Sequence, residues 1–288
     1  MTDLLKNERS HFLIQFETSL EQYLAGHFAN PQKKHKLVLE SMQYSLKSNG
    51  KRFRPLLSYL VFSLWSKDFA KIKSWCLALE FIHTYSLIHD DLPCMDNDDY
   101  RRGVLTNHKV YGDDVALLAG DSLISEAFKV IADDINLKPV VQVKLIQLLA
   151  SKIGPEGMVT GQVLDMKVND KITEDELKYI HILKTGYLIQ TAAVGAAHIL
   201  ELSEKEISLI SEFALNLGLS FQIKDDLLDY NSADQDFKSY VYILGLERTK
   251  KELEQYTEKT LHQLKQLKSS GDAQALVDLI EYNVARTS

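Results

Sequence analysis

Apolar residues along this chain recur mostly at helical spacing. Leu37, Leu39, Met42 and Leu46 make one stripe; Ile207, Ile210, Phe213, Ala214 and Leu217 make another. Such spacing is expected of helices that bury one face. Two segments, Trp75 to Asp91 and Phe213 to Leu228, are apolar nearly all round, which predicts two helices in the middle of a bundle. Helix starts are legible as well: Thr173-Glu174-Asp175-Glu176 and Ser203-Glu204-Lys205-Glu206 both fit the capping-box pattern. Strand signals are nearly absent, because no Asn-Gly or Asp-Gly turn separates alternating segments. The chain shows neither a repeat of fixed period nor a low-complexity tract. The expectation is one all-α domain over residues 1–288, a bundle of roughly ten or more helices around a central cavity.

Composition narrows the class. With 288 residues, 45% of them hydrophobic, the chain can bury a large core. A net charge of −7 argues against nucleic acid as the main partner. Cys76 and Cys94 form no framework of bridges; both sit in apolar sequence and read as small buried thiols. The start carries no apolar signal core. The most apolar stretch, Ala192 to Leu200, is too short to span a bilayer. A soluble cytoplasmic protein without stable membrane insertion is expected.

The two central segments end in carboxylates: Asp90-Asp91 with Asp96 after the first, and Asp225-Asp226 with Asp229 in the second. Carboxylates this close repel, and burying them unpaired is costly. Two such clusters facing each other at one end of a bundle need cations between them. Hard oxygen ligands suit Mg2+, which commonly bridges a few carboxylates to substrate phosphates. Asp225 and Asp229 share a helical face, and Asp226 lies about 100° away, so the three can converge. In the first run Pro93 predicts a kink or an end to the helix, which would let Asp90 and Asp96 approach one ion. One acidic turn alone reads equally well as a solvated surface; two, each following a buried helix, do not.

Basic residues accompany the acids. Gly50-Lys51-Arg52-Phe53-Arg54-Pro55 packs three cations into four positions, and Arg101-Arg102-Gly103 follows the first acid run. These cations read either as salt bridges or as a grip on a phosphate group, for which arginine offers a planar fork and lysine a compact charge. His83 precedes Asp90 by two helical turns on the same face and reads either as a core residue or as part of the site. Lys184-Thr185-Gly186 and Phe221-Gln222-Ile223-Lys224 add donors near a pocket that would otherwise be only acidic.

The set Gly50-Lys51-Arg52-x-Arg54-Pro55, His83-x-Tyr85-Ser86-x-x-x-Asp90-Asp91-x-x-x-x-Asp96, Asp98-Asp99-x-Arg101-Arg102-Gly103, Gly161-Gln162, Lys184-Thr185-Gly186 and Phe221-Gln222-x-x-Asp225-Asp226-x-x-Asp229 resembles the trans-polyprenyl diphosphate synthases, nearest the bacterial farnesyl diphosphate synthase type. The resemblance implies an all-α, homodimeric enzyme that joins an allylic diphosphate head to tail with isopentenyl diphosphate. It implies Mg2+, roughly two to three ions per active site with Mn2+ as a substitute, on Asp90, Asp91, Asp96, Asp225, Asp226 and Asp229. Arg101, Lys184 and Gln222, with Thr185 beside them, would contact the allylic diphosphate. Lys51, Arg54, His83 and Arg102, introduced by Gly50, would bind isopentenyl diphosphate. Among these, Asp90, Asp91, Asp96, Arg101, Lys184 and Asp225 would be the catalytic set. Tyr85 and Ser86, about one turn deeper than Asp90, would limit product length, and an aromatic ring at 85 is associated with the farnesyl product.

The segment after Asp229 departs from the family pattern. Lys238 stands where a second lysine is expected, but the preceding glycine-lysine loop has no counterpart. Either the site-closing loop is truly short or a stretch is missing from this sequence. Geranyl or geranylgeranyl diphosphate synthesis, class I terpene cyclisation and a non-catalytic subunit are the alternatives. A cyclase needs one diphosphate and hence no Lys51, Arg54 and Arg102; a binding-only subunit needs no intact acid runs.

Overall fold

The computed structural model describes residues 1–28, 35–169, 171–230, 237–269 and 271–287. Its elements are α1 (Asp3–Phe28), α2 (Lys36–Leu46), α3 (Phe53–Ser63), α4 (Lys73–Asp90), β1 (Tyr100–Arg101), β2 (Val104–Leu105), α5 (Asn107–Tyr111), α6 (Asp113–Ala132), α7 (Pro139–Ile153), α8 (Met158–Lys167), α9 (Glu174–His181), α10 (Tyr187–Ile199), α11 (Glu204–Leu228), α12 (Tyr240–Leu244), α13 (Leu246–Gln266) and α14 (Gln274–Ala285). The all-α expectation holds.

The two central segments are helices α4 and α11. α4 buries residues on every face, from Trp75 and Cys76 to Tyr85 and Ile88, because α1, α2, α3, α6 and α10 all pack around it. α11 lies against α10, α13 and α14 and buries Ile210, Phe213, Ala214 and Leu217. Both capping boxes form: Thr173 and Ser203 accept from the Glu176 and Glu206 amides, and each glutamate reaches back. Pro139 opens α7 at a position where its missing N–H costs nothing. In the first stripe Met42 and Leu46 are buried while Leu37 is half exposed, since it lies in the first turn of α2.

Two expectations need correction. The chain does contain a hairpin: Tyr100 pairs with Leu105 and Arg101 with Val104, antiparallel. Its two-residue turn, Arg102-Gly103, has positive φ at both positions (55° and 82°), the geometry that twisted hairpins prefer. Arginine in the first turn position hid it from a search for Asn-Gly or Asp-Gly. Cys76 is buried, but Cys94 is exposed. Pro93 ends the apolar helix just before it, so Cys94 belongs to a surface turn rather than to the core.

Candidate active site

α4 ends where the first acid run begins. Asp91 caps its C-terminus, and the Asp96 amide turns back to the Asp90 carbonyl at 2.9 Å. Asp91 is only 3% exposed because Arg101 holds it, with Nε at 2.6 Å and Nη2 at 2.5 Å from Oδ1. Arg101 also reaches Asp98 at 3.1 Å. Asp90 faces the cavity instead. Burial pushes its carboxyl up to about 6; Lys184 opposes this most, and neighbouring Asp96 and Asp91 add to it. A buried carboxylate with like charges beside it gains from an added cation even with a lysine near.

The hairpin turn sends neighbouring arginines to different partners. Arg101 points to Asp91, whereas Arg102 points to Ser48 Oγ (3.4 Å) and His83 Nε2 (3.4 Å). Gly50 makes room for it: a Cβ there would lie 2.6 Å from Arg102 Nη1. Arg54 approaches the same His83 nitrogen at 3.3 Å. A nitrogen facing two guanidinium donors can only accept, so His83 is neutral. Burial, then Arg54 and Arg102, hold it well below the ordinary histidine value of 6.5. Burial also lowers Arg54 to about 10, and its Nε has no partner. Arg54, His83 and Arg102 therefore form a positively charged recess that is under-satisfied as it stands. Lys51 is exposed, near Asp225. Arg52 departs from its neighbours. At φ 49° it turns inward and binds Glu17 (3.0 Å), Glu80 (2.6 Å) and the Leu46 carbonyl (2.7 Å).

Across the cavity, Lys184, Thr185 and Gly186 sit in a π-turn, Ile182–Gly186, between α9 and α10. Such a bulge re-aims side chains inside a continuous helix. α8 approaches closely there, since a Cβ on Gly161 would meet the Lys184 amide at 2.5 Å. Lys184 Nζ lies 2.7 Å from Asp165 on α8, and Lys238 lies 3.8 Å from the same oxygen. Thr185 donates to Gln222 Oε1 at 3.0 Å, and Gln222 Nε2 donates to Asp226 at 3.0 Å.

The three aspartates of the second run face different surroundings. Asp225 pairs with Arg286 at 2.6 Å, Asp226 accepts from the Tyr240 amide at 2.7 Å, and Asp229 is exposed. Asp226 thus also anchors the start of α12. Asp96 from the first run and Asp226 and Asp229 from the second line one cavity of 590 Å³ with Lys184, Thr185, Gln222 and Lys238. The cavity thus gathers Asp96, Asp226 and Asp229, while Asp91 is held by Arg101 and Asp225 by Arg286 outside it. The segment that departs from the family pattern, residues 231–236, lies outside the described residues.

A second cavity of 390 Å³ continues from Arg54, His83, Asp90, Lys184 and Thr185 into an apolar tunnel. Tyr85, Ser86, Met95, Met158, Val163 and Met166 line it. Tyr85 is 7% exposed, and Ser86 turns its hydroxyl back to the His83 carbonyl at 2.9 Å.

Among the described residues, no three carboxylate, imidazole or thiol groups are gathered closely enough to hold an ion as they stand. The chemistry of the donors nonetheless fits a hard divalent cation: they are carboxylate oxygens, and Asp90 is crowded by like charge. Asp90, Asp96, Asp225 and Asp229 would hold it.

A family model for polyprenyl synthetase matches residues 35–268. The chain belongs to the polyprenyl synthetase family. It is 43% identical over 260 residues to farnesyl diphosphate synthase of Micrococcus luteus, covering 86% of this chain and 88% of that protein. It is 46% identical over 222 residues to farnesyl diphosphate synthase of Geobacillus stearothermophilus, covering 76% and 73%. The chloroplastic geranylgeranyl pyrophosphate synthase of Capsicum annuum is 38% identical, over 85% of this chain and 71% of that protein. Among solved structures, the geranyltransferase from Legionella pneumophila superposes with a TM-score of 0.89 at 31% identity, over 99% and 98% of the two chains. An FPP/GFPP synthase from Zymomonas mobilis gives the same score and identity, over 98% and 100%.

Within this polyprenyl synthetase, Asp165, His181 and Arg286 are neighbours of the site that sequence reasoning missed. Asp165 stands four positions after Gly161 on α8, a helical spacing that could have revealed it. Burial pushes His181 down to about 4; it lines the cavity, with its ring 5.3 Å from Tyr240. Arg286, near the end of the chain, gave no local signal.

Proposed function

We propose that this enzyme condenses isopentenyl diphosphate with dimethylallyl and then geranyl diphosphate, and releases farnesyl diphosphate. The observation that carries this reading is a pair of cavities that share Lys184 and Thr185: one lined by carboxylates and lysines, the other lined mostly by apolar side chains with Tyr85 among them. A diphosphate and a prenyl tail need such neighbours.

Lys184, Thr185, Gln222 and Arg101 orient the allylic diphosphate beside the two acid runs. Mg2+, when bound to Asp90, Asp96, Asp225 and Asp229, supplies positive charge that stabilises the departing diphosphate. Arg54, Arg102 and Lys51 hold the second diphosphate, and neutral His83 keeps both arginines aimed at it. The tunnel walls exclude water, which would otherwise quench the allylic cation. The isopentenyl double bond attacks that cation to form a new C–C bond and a tertiary cation, which loses a proton from the adjacent carbon to the departed diphosphate. Ionisation and attack need no nucleophilic side chain.

The Arg54–His83–Arg102 recess favours a prenyltransferase over a terpene cyclase, because a cyclase has no second diphosphate to bind. The unit is a single domain that works as a cytoplasmic homodimer. Support for the dimer comes from Leu117, Leu118, Val140 and Val143 on α6 and α7, each 45% to 58% exposed. Among the described residues no helix is long and apolar enough to cross a membrane.

Incubation with isopentenyl diphosphate, dimethylallyl or geranyl diphosphate and Mg2+, followed by chromatography of the dephosphorylated products, tests the reading. Farnesol is expected. Geranylgeraniol as the main product would move the assignment to the longer synthases, and failure to elongate any allylic primer would refute it.

A further inference from the structure

Tyr85 and His89 stand one helical turn apart on α4 and line the same tunnel. Their rings meet edge to face, with centroids 5.6 Å apart and planes at 76°. His89 is fixed from its other side. Its Nε2 lies 3.0 Å from the Leu117 carbonyl on α6. A carbonyl can only accept, so Nε2 carries the proton and the tautomer is set. α6 is shaped to admit the ring: a Cβ on Gly120 would fall 2.1 Å from Nε2 and 2.4 Å from Cδ2. Asp121 Oδ1 stands farther off, at 3.9 Å.

We infer that His89 is a specificity-determining positioning residue that braces Tyr85, so that α6, through Leu117 and Gly120, sets the depth of the tunnel. The inference rests on the proposed function, in which this tunnel receives the growing chain. A bulky ring limits chain growth only if it cannot swing aside. Tyr85 packs against an imidazole that is itself pinned between a carbonyl and a bare backbone, so it cannot. The phenol has no comparable lock of its own: among the described residues its hydroxyl has no hydrogen-bond partner.

The brace makes two substitutions act in opposite directions. His89→Ala opens space beside Tyr85; the ring turns into it, and the tunnel lengthens. Gly120→Ala drives the imidazole towards Tyr85, and the tunnel shortens. A methylene-sized change in an apolar pocket shifts discrimination by roughly tenfold, so changes of about that size are expected in the product ratios. The geranylgeranyl-to-farnesyl ratio rises in His89→Ala, and the geranyl-to-farnesyl ratio rises in Gly120→Ala. His89→Gln keeps a donor for the Leu117 carbonyl and returns the ratio towards wild type. In the double variant the added methyl has no imidazole to push, so the shortening disappears.

The experiment is product chromatography of wild type and these four variants, with thermal unfolding of each to confirm folding. Opposite shifts with rescue by His89→Gln support the brace. An unchanged product ratio in folded His89→Ala overturns it while leaving the farnesyl assignment intact. Shifts of both single variants in the same direction overturn it too. A wild-type enzyme that elongates no primer overturns both readings.

Discussion

Arg286 binds Asp225 at 2.6 Å and thereby ties the end of α14 to the acidic end of α11. The guanidinium is 6% exposed, bonds the Phe221 carbonyl (3.2 Å) and Asn283 (3.0 Å), and lies 4.5 Å from the Phe221 ring. It is the main positive neighbour of Asp225, whose carboxyl burial nonetheless raises. Breaking a buried pair by removing one partner costs about 3–5 kcal/mol; the Asp225 side chain is 32% exposed, which reduces this to about 1–2 kcal/mol. Arg286→Gln is expected to lose that much stability in EDTA. Excess Mg2+ should restore part of it by neutralising the same carboxylate. Urea unfolding of Arg286→Gln, Asp225→Asn and the double variant, with and without Mg2+, measures the coupling. No coupling in EDTA would show that the contact is incidental.

Arg52 and Arg54 are two positions apart and should fail in different ways. Arg52→Gln leaves Glu80, 1% exposed, without its direct ion pair, at a cost of about 3–5 kcal/mol. Arg54 is different: its Nε is unpartnered, it hydrogen-bonds His83, and it feels Glu80 and Arg102 only through charge, with no ion pair of its own. Arg54→Gln is expected to keep stability within about 1 kcal/mol or gain slightly, while raising KM for isopentenyl diphosphate about a hundredfold. Denaturant midpoints and KM values for both variants separate the roles. Equal destabilisation by the two substitutions would reject the distinction.

That contrast shows what local sequence carries and what it does not. The helices were legible because the periodicity of Ile207 to Leu217 and the boxes at Thr173 and Ser203 are local facts. The turn after Asp90 was legible because Pro93 forces it. Spacing could not separate Arg52 from Lys51 and Arg54, since the difference is one left-handed backbone conformation plus two glutamates from distant helices. The tie between Asp225 and Arg286 and the bond between Lys184 and Asp165 are likewise tertiary pairings. The exposure of Cys94 follows from where the chain leaves the core, which the apolar run before it does not announce.

His83 should make stability depend on pH. Its folded value lies below the ordinary 6.5, chiefly through burial and then through Arg54 and Arg102. Below pH 6.5 the unfolded chain takes up a proton that the folded protein refuses, so the unfolded state binds more protons and stability falls with falling pH. Above 6.5 the contribution is fully present and flat. His83→Asn is expected to make the loss between about pH 6.5 and pH 5 shallower, leaving the share due to buried His181. Unfolding free energies of wild type and variant across that range test this. A parallel decline in both would place the titration elsewhere.

On the proposed reading, Asp165 competes with substrate for Lys184. The pair is 2.7 Å apart, with side chains 30% and 17% exposed, and Lys238 shares the same oxygen at 3.8 Å. A diphosphate must draw the lysines away from Asp165, and a partly exposed pair of this kind is worth up to about 1 kcal/mol. Asp165→Asn removes that cost while keeping side-chain volume. Inorganic diphosphate in EDTA should then bind about fivefold more tightly, as 1.4 kcal/mol corresponds to about tenfold. Turnover with substrates and Mg2+ should fall, because both lysines lose the acceptor that positions them between cycles. Titration calorimetry with diphosphate, alongside kcat for the same variant, distinguishes the two effects. Weaker diphosphate binding in Asp165→Asn would mean that this carboxylate helps to hold the anion's neighbours in place rather than competing with it.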